Sequence, residues 1–488
     1  MLISMLKSSS KKLFFSIAIL MCIVGLPAYK ALAKNIFVAP VAGKMSGGTR
    51  KQPYDLPMLL NGKVQLLPGD TINLAGGDYF GDFNFHFEGT PEKQIVIRSV
   101  PGETAVLHGH IDLKPGTRYL TLMDFEICAD RSKSWKRVSR QRGSSVKDIY
   151  SAAGITAGSS WMNGIKIINL VIHDVPDNGI ENWTRSVNSE VYGNIVYNNG
   201  WDGPDRGHGH GIYTQNDTGT KVYEENICFW NLGTCGIKIY SESGTTSNFY
   251  LEGNIHFNPD CFLIGGYKPV RNITMRNNYM GEGANLVLGY RSKDNSGLRA
   301  WGNYLMKTTI TEWQQMNMRH NVFLEGIDMN APVNLNQYKM DSDVFYPYTG
   351  GSGGDLQMLK QKGLEKNSTK LNNYPAVPEV FVRPNKYEPG RAHIVVYNWP
   401  KYDSVPVDLS DILKKGDAFE IIDVQHYSAG GVIKGIYKGA LIKIPMTLTK
   451  TDELIGDFSN CYHSDIIKRT HTSKAFGVFL VRKPKRNM

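Results

Sequence analysis

Cysteine is scarce in this chain, with 6 among 488 residues, and Cys22 falls inside the first 33. The other five, Cys128, Cys228, Cys235, Cys261 and Cys461, form no CxxC pair and show no Cys/His zinc spacing. Neither a disulfide framework nor a zinc site is indicated, and these thiols are expected to be buried small hydrophobes. Apolar runs long enough to span a bilayer are missing after residue 33. Gly-rich loops of Walker or dinucleotide type are missing too, so no nucleotide site is expected. The basic residues are dispersed rather than clustered, which argues against nucleic acid as a partner. What is present is a 41% hydrophobic, 20% charged chain with 50 Gly and 22 Pro, in which 25 Tyr outnumber 19 Phe. That composition suits a turn-rich strand protein with an exposed aromatic surface, and disfavours a helix bundle.

The first 33 residues stand apart. Lys7, Lys11 and Lys12 precede an apolar run from Leu13 to Ala28 that ends near Ala31-Leu32-Ala33. This reads as a secretory signal peptide over 1–33 with an A-x-A site, which implies a secreted or periplasmic protein with no membrane span after cleavage. Its removal takes away four lysines and no acid, lowering the formal charge from +10 to +6. The remaining surplus is modest and compatible with an acidic partner.

From residue 169 an Asn followed by two apolar or aromatic residues keeps returning, at Asn169, Asn194, Asn226, Asn254, Asn278, Asn303 and Asn321. The steps are 25, 32, 28, 24, 25 and 18 residues, with short β-prone strings such as Gly179-Ile-Glu181, Gly211-Ile-Tyr213 and Gly236-Ile-Lys238 between them. A coil of three short strands per turn explains the period, because each turn spends about two dozen residues and needs Asn or Gly at tight corners. The fold class is therefore all-β, a right-handed parallel β-helix over 34–345, with the repeat Asn residues as a corner ladder.

The sequence resembles pectate-lyase-like β-helix proteins. The opening segment adds to this with Phe37-Val-Ala-Pro, Pro68-Gly-Asp-Thr-Ile72, Gly76-Gly-Asp-Tyr-Phe80 and Pro101-Gly-Glu. That order is similar to the first turns of polysaccharide lyase family 6, the alginate lyases and chondroitinase B. The resemblance implies a polysaccharide partner and, by analogy with several of these lyases, a Ca²⁺ held by acids. After a linker with a short helix (346–377), residues 378–488 alternate in period two between Gly- and Pro-bearing turns, which predicts an antiparallel β-sandwich. It resembles the small C-terminal sandwiches of carbohydrate-active enzymes, with packing or sugar binding as its role. A monomer is expected.

The chemistry concentrates in one turn. Asn169 to Gly179 and Asn226 to Gly236 each span 10 residues, whereas Asn194 to Gly211 spans 17. The surplus falls within Gly200-Trp-Asp-Gly-Pro-Asp-Arg-Gly-His-Gly-His-Gly211, a loop rich in titratable groups on a stiff coil. Aligning Ile180, Ile212 and Ile237 as inward stacks Glu181, Tyr213 and Lys238 outside, with Trp183, Gln215 and Tyr240 in a parallel row. Aligning Cys261 and Ala284 with Cys235 brings Tyr267-Lys268 over Tyr290-Arg291. This strip of acids, phenols and cations fits a sugar-chain groove, with Trp183, Trp201, Tyr240, Tyr267, Lys268, Tyr290 and Arg291 as substrate contacts.

On a uronate polymer such a strip could abstract the C5 proton, with His208, His210 or Lys238 as base, Tyr213 as acid and Arg206 or Lys238 at the carboxylate. Proton return to the opposite face would give a C5 epimerase instead of a lyase. Asp177, Glu181 and Asp202 are the candidate oxygen ligands for Ca²⁺. Two alternatives stay open: an inverting glycoside hydrolase using carboxylates among Asp177, Glu181, Asp202 and Asp205, and a non-catalytic polysaccharide-binding scaffold. The glycines flanking His208 and His210 equally fit a tight coil corner.

Overall fold

The computed structural model describes residues 33–41, 47–130, 135–330, 335–347 and 356–485. The expected signal peptide lies outside the described residues, apart from its last residue. No helix among the described residues is long and apolar enough to cross a membrane.

Among the described residues three parallel sheets of 13, 12 and 10 strands stack rung on rung, most turns contributing one strand to each sheet. The chain is a right-handed parallel β-helix, the hand that parallel crossovers adopt almost without exception. Inward positions form one continuous core. In the third sheet Ile155, Ile180, Ile212 and Ile237 are aligned and fully buried. A short helix, Leu56–Leu60, is capped by Asp55, whose Oδ1 accepts the Met58 N–H at 2.6 Å, and it buries Leu56 and Leu59 near the start of the coil.

Corner chemistry explains the Asn repeat. Asn194, Asn226, Asn254, Asn278, Asn303 and Asn321 form a buried ladder in which each Nδ2 donates to the next Oδ1 at 2.8 to 3.0 Å, and Asn321 donates to Asp343 at 3.1 Å. Each amide also donates to a main-chain carbonyl of the preceding turn, as Asn254 does to Tyr223 at 2.9 Å. Asn169 departs from this expectation. It takes the left-handed position (φ 54°) that Gly193 and Glu225 occupy on the next turns, and Leu170 stands at the ladder position, with its N–H on Asn194 Oδ1 at 2.9 Å.

The coil gains a last strand from the expected linker, because Thr369–Lys370 pairs with Val344–Phe345; the helix there covers Leu356–Gln361. The C-terminal module has a five-stranded antiparallel sheet and a two-stranded one. Alternation gives the larger sheet two apolar faces. Ile394, Val396, Ile421 and Val481 pack with Val405 and Val407 of the small sheet, whereas Val395, Tyr397, Ile422, Phe476, Val478 and Leu480 join the core cluster of the coil. Contact with the second sheet is direct: Phe476 lies 5.6 Å from Phe257, and the Tyr397 hydroxyl donates to the Met280 carbonyl at 2.8 Å.

Candidate active site

Register assembles the site. In the third sheet Glu181 pairs with Tyr213 and Tyr213 with Lys238, so three side chains far apart in sequence stand in one outward row. Leu263 and Val287 continue it. Here Tyr213, Cys235, Tyr240, Cys261 and Leu263 form a small apolar cluster separate from the main core, with Trp183 and Val287 packed against it.

His210 joins this row. Its Nε2 lies 3.1 Å from Lys238 Nζ, and its ring stands edge-on to Tyr213 at 5.6 Å. Backbone glycines make this possible. Gly209 takes φ 83°, breaking the alternation that would otherwise turn His210 inward, and a Cβ on Gly233 would lie 2.7 Å from His210 Nδ1. The His210 N–H donates to Asn178 Oδ1 at 2.8 Å, and Asn178 Nδ2 donates to Glu181 Oε1 at 3.0 Å, so one amide couples the loop to the acid at the head of the row.

Electrostatics tune these groups toward neutrality. Burial, followed by the charges of Lys238 and Arg206, holds His210 well below the usual imidazole value, so it is neutral at pH 7. Burial also lowers Lys238; Cys235 acts against this and Arg206 with it. With Lys238 charged, Nε2 of His210 accepts from the ammonium and the ring proton sits on Nδ1. Tyr213 is pushed up by burial and by Glu242, and stays a proton donor. Burial and the neighbouring Asp177 raise Glu181 to about 7. Asp177 is raised by its own burial.

The other expected residues divide. Trp183 packs edge-on to Tyr213 at 5.1 Å. Tyr240 faces Tyr267 at 5.7 Å and Tyr290 at 6.2 Å, and Arg291 reaches the Tyr267 hydroxyl at 3.3 Å while lying over the Tyr290 ring. Tyr267, 64% exposed, offers a free face. Lys268 donates to the Ser243 carbonyl. The alignment is one residue off the expected one, since Cys261 pairs with Asn285 rather than Ala284, and a bulge beyond Ile264 restores Tyr290 to the cluster.

His208, Trp201 and Asp202 go elsewhere. Trp201–Asp202 and Gly207–His208 form a tight antiparallel hairpin in which His208 stacks on Trp201 at 3.9 Å and bonds Asp205 at 3.2 Å, away from the Lys238 pair. Trp201 is 1% exposed and has no face to offer a sugar. Arg206 is exposed, bonded to Asp205 at 2.7 Å and Ser144 at 3.1 Å, yet its charge reaches His210 and Lys238. Asp202 is fully buried. It takes bonds from the Cys461 thiol, the Tyr462 and His463 N–H groups and His463 Nδ1.

The expected Ca²⁺ set therefore does not assemble as three available carboxylates. Asp177 and Glu181 already accept from Ser151, Asn178 and Thr156, short of the six to eight oxygens calcium takes. Sequence reasoning also missed Asn178, Gly233 and Glu242. Only the spacing of the first two from the Gly-Ile pairs could have flagged them.

No family model and no curated protein matches the sequence. Among solved structures the chain is similar to a rhamnogalacturonan lyase (14% identity over 70% of this chain and 88% of that one, TM-score 0.45). It is also similar to a mannuronic acid specific polysaccharide family 6 lyase from human gut microbiota (13%, 70% and 92%, 0.37) and to the A-module of a mannuronan C-5 epimerase from Azotobacter vinelandii (13%, 64% and 92%, 0.34). At these identities the likeness concerns the course of the backbone and transfers no residue role.

Proposed function

We propose that the third-sheet face is the active site of an extracytoplasmic enzyme acting on a uronate-containing polysaccharide by C5 proton abstraction, as a lyase or a C5 epimerase. The observation that carries this reading is the 3.1 Å contact of Lys238 with a neutral His210 inside a row of phenols. The lowered Lys238 amine takes the C5 proton, and His210 Nε2 accepts a hydrogen bond from the ammonium that forms. The Tyr213 hydroxyl, held protonated, donates to the leaving oxygen. Arg291, Lys268 and Arg206 meet carboxylates of the polymer, and Trp183, Tyr240, Tyr267 and Tyr290 line the sugar path. No step is routed through calcium. In elimination the C5–H and C4–O bonds break and a C4=C5 double bond forms; in epimerisation a proton returns to C5 from the other side.

A second reading, inverting hydrolysis, draws support from Glu181. A carboxyl raised to about 7 is matched to general-acid work, with Asp177 beside it as the base. Incubating the protein with polymannuronate, polyguluronate, polygalacturonate and neutral glycans tests both. Ultraviolet-absorbing unsaturated ends, or a changed uronate epimer ratio, support the first reading. New reducing ends without unsaturation support the second, and an unaltered polymer across the panel removes both.

A further inference from the structure

Independently of any reaction on the third sheet, the geometry points to a binding site for a zinc-class divalent cation formed by Glu126, Cys128 and His173 on the outer face of the second sheet. Glu126–Cys128 and Val171–His173 are neighbouring parallel strands, with Cys128 registered on His173. Period-two alternation puts Glu126 and Cys128 on one face. The ligand atoms of the three side chains all lie within 4.8 Å of one another; Glu126 Oε1 and His173 Nε2 are hydrogen-bonded at 3.1 Å, a contact that an ion would replace at nearly the same separation.

Two further observations point to a metal. The other ring nitrogen, His173 Nδ1, bonds Asp174 Oδ2 at 2.8 Å, the carboxylate support that fixes a ligating imidazole with Nε2 turned to the ion. Asp174 is itself held through Oδ1 by the fully buried Arg137 at 3.2 Å and the Ile455 N–H at 2.9 Å. Cys128 Sγ also lies 3.4 Å from His108 Nδ1. A cavity of about 950 Å³ between the coil and the C-terminal module reaches Glu126 and His173 and gives an entry route for an ion. A mixed S, N, O set selects a borderline-soft ion over calcium or magnesium. On binding, the Cys128 thiol and the Nε2 position each release their proton to solvent. The site escapes spacing motifs because its ligands come from successive turns 45 residues apart rather than from one loop.

The test is Co²⁺ titration of the full mature chain after dialysis against a chelator. A thiolate-to-cobalt charge-transfer band with visible d–d bands of tetrahedral strength, bleached by one equivalent of Zn²⁺, is expected. Cys128→Ser abolishes the charge-transfer band, Glu126→Gln weakens binding by about tenfold or more, and Cys461→Ser leaves both unchanged. Circular dichroism and melting of the metal-free variants report whether they are folded. Zn²⁺ should raise the melting temperature of the wild type but not of Cys128→Ser. Absence of the band in the folded wild type, or its survival in Cys128→Ser, overturns the site.

Discussion

The outer faces of the second and third sheets come from the same turns of the same coil, yet one is lined by stacked rings under the C-terminal module and the other by a row of titratable groups. On the second sheet the outward column runs His173, Tyr197, Phe229, Phe257, with successive rings 4.9 to 5.0 Å apart, and the C-terminal module packs over it. On the third sheet the outward row runs Glu181, Tyr213, Lys238, with a neutral imidazole against the amine. A parallel coil repeats whatever side chain a position holds at a spacing of about 4.8 Å, so a column becomes an aromatic stack or a line of titratable groups according to residue type alone. The two faces are also physically linked. The C-terminal segment that borders the covered face holds Asp202 and, through it, the hairpin that leads into His210.

Truncation should separate the faces most sharply. Phe229→Ala removes a fully buried ring and should cost about 3 to 5 kcal/mol in denaturant unfolding, while Tyr267→Ala on the exposed strip should stay within about 0.5 kcal/mol. Equal losses would erase the distinction. In turnover the order reverses. Lys238→Met should lower the rate by about 10² to 10⁴ with the melting temperature nearly unchanged, whereas Phe229→Ala should act only through stability. His210→Ala should reduce turnover well beyond His208→Ala, since His208 is spent on Trp201 and Asp205. The smallest effect is on pH. Glu181 is raised from 4.5 to about 7 in the fold, so its contribution to stability is full below pH 4.5 and is lost as pH climbs through 7. Melting curves of Glu181→Gln should lack that decline.

The coil was readable because its corners repeat: a ladder amide about every two dozen residues marks one corner of each turn. The Glu181, Tyr213, Lys238 row was readable for the same reason, since parallel register carries one position onto the next. Asn169 misled because Asn also favours the left-handed corner one residue earlier. His208 and His210 look equivalent in sequence, and the φ of Gly209 divides them. Trp201 and Asp202 could not be read correctly from their own loop, because the segment that closes over Asp202 lies about 260 residues further along the chain.

Hydrogen exchange at C5 of a uronate polymer tests the central claim most directly. The polymer is incubated with the protein in D₂O and followed by NMR, beside the Lys238→Met variant. The account predicts that wild-type protein breaks the C5–H bond, seen as elimination or as deuterium at C5, and that the variant does not. Processing of the polymer with every C5 hydrogen retained, or C5 exchange undiminished in Lys238→Met, would contradict it.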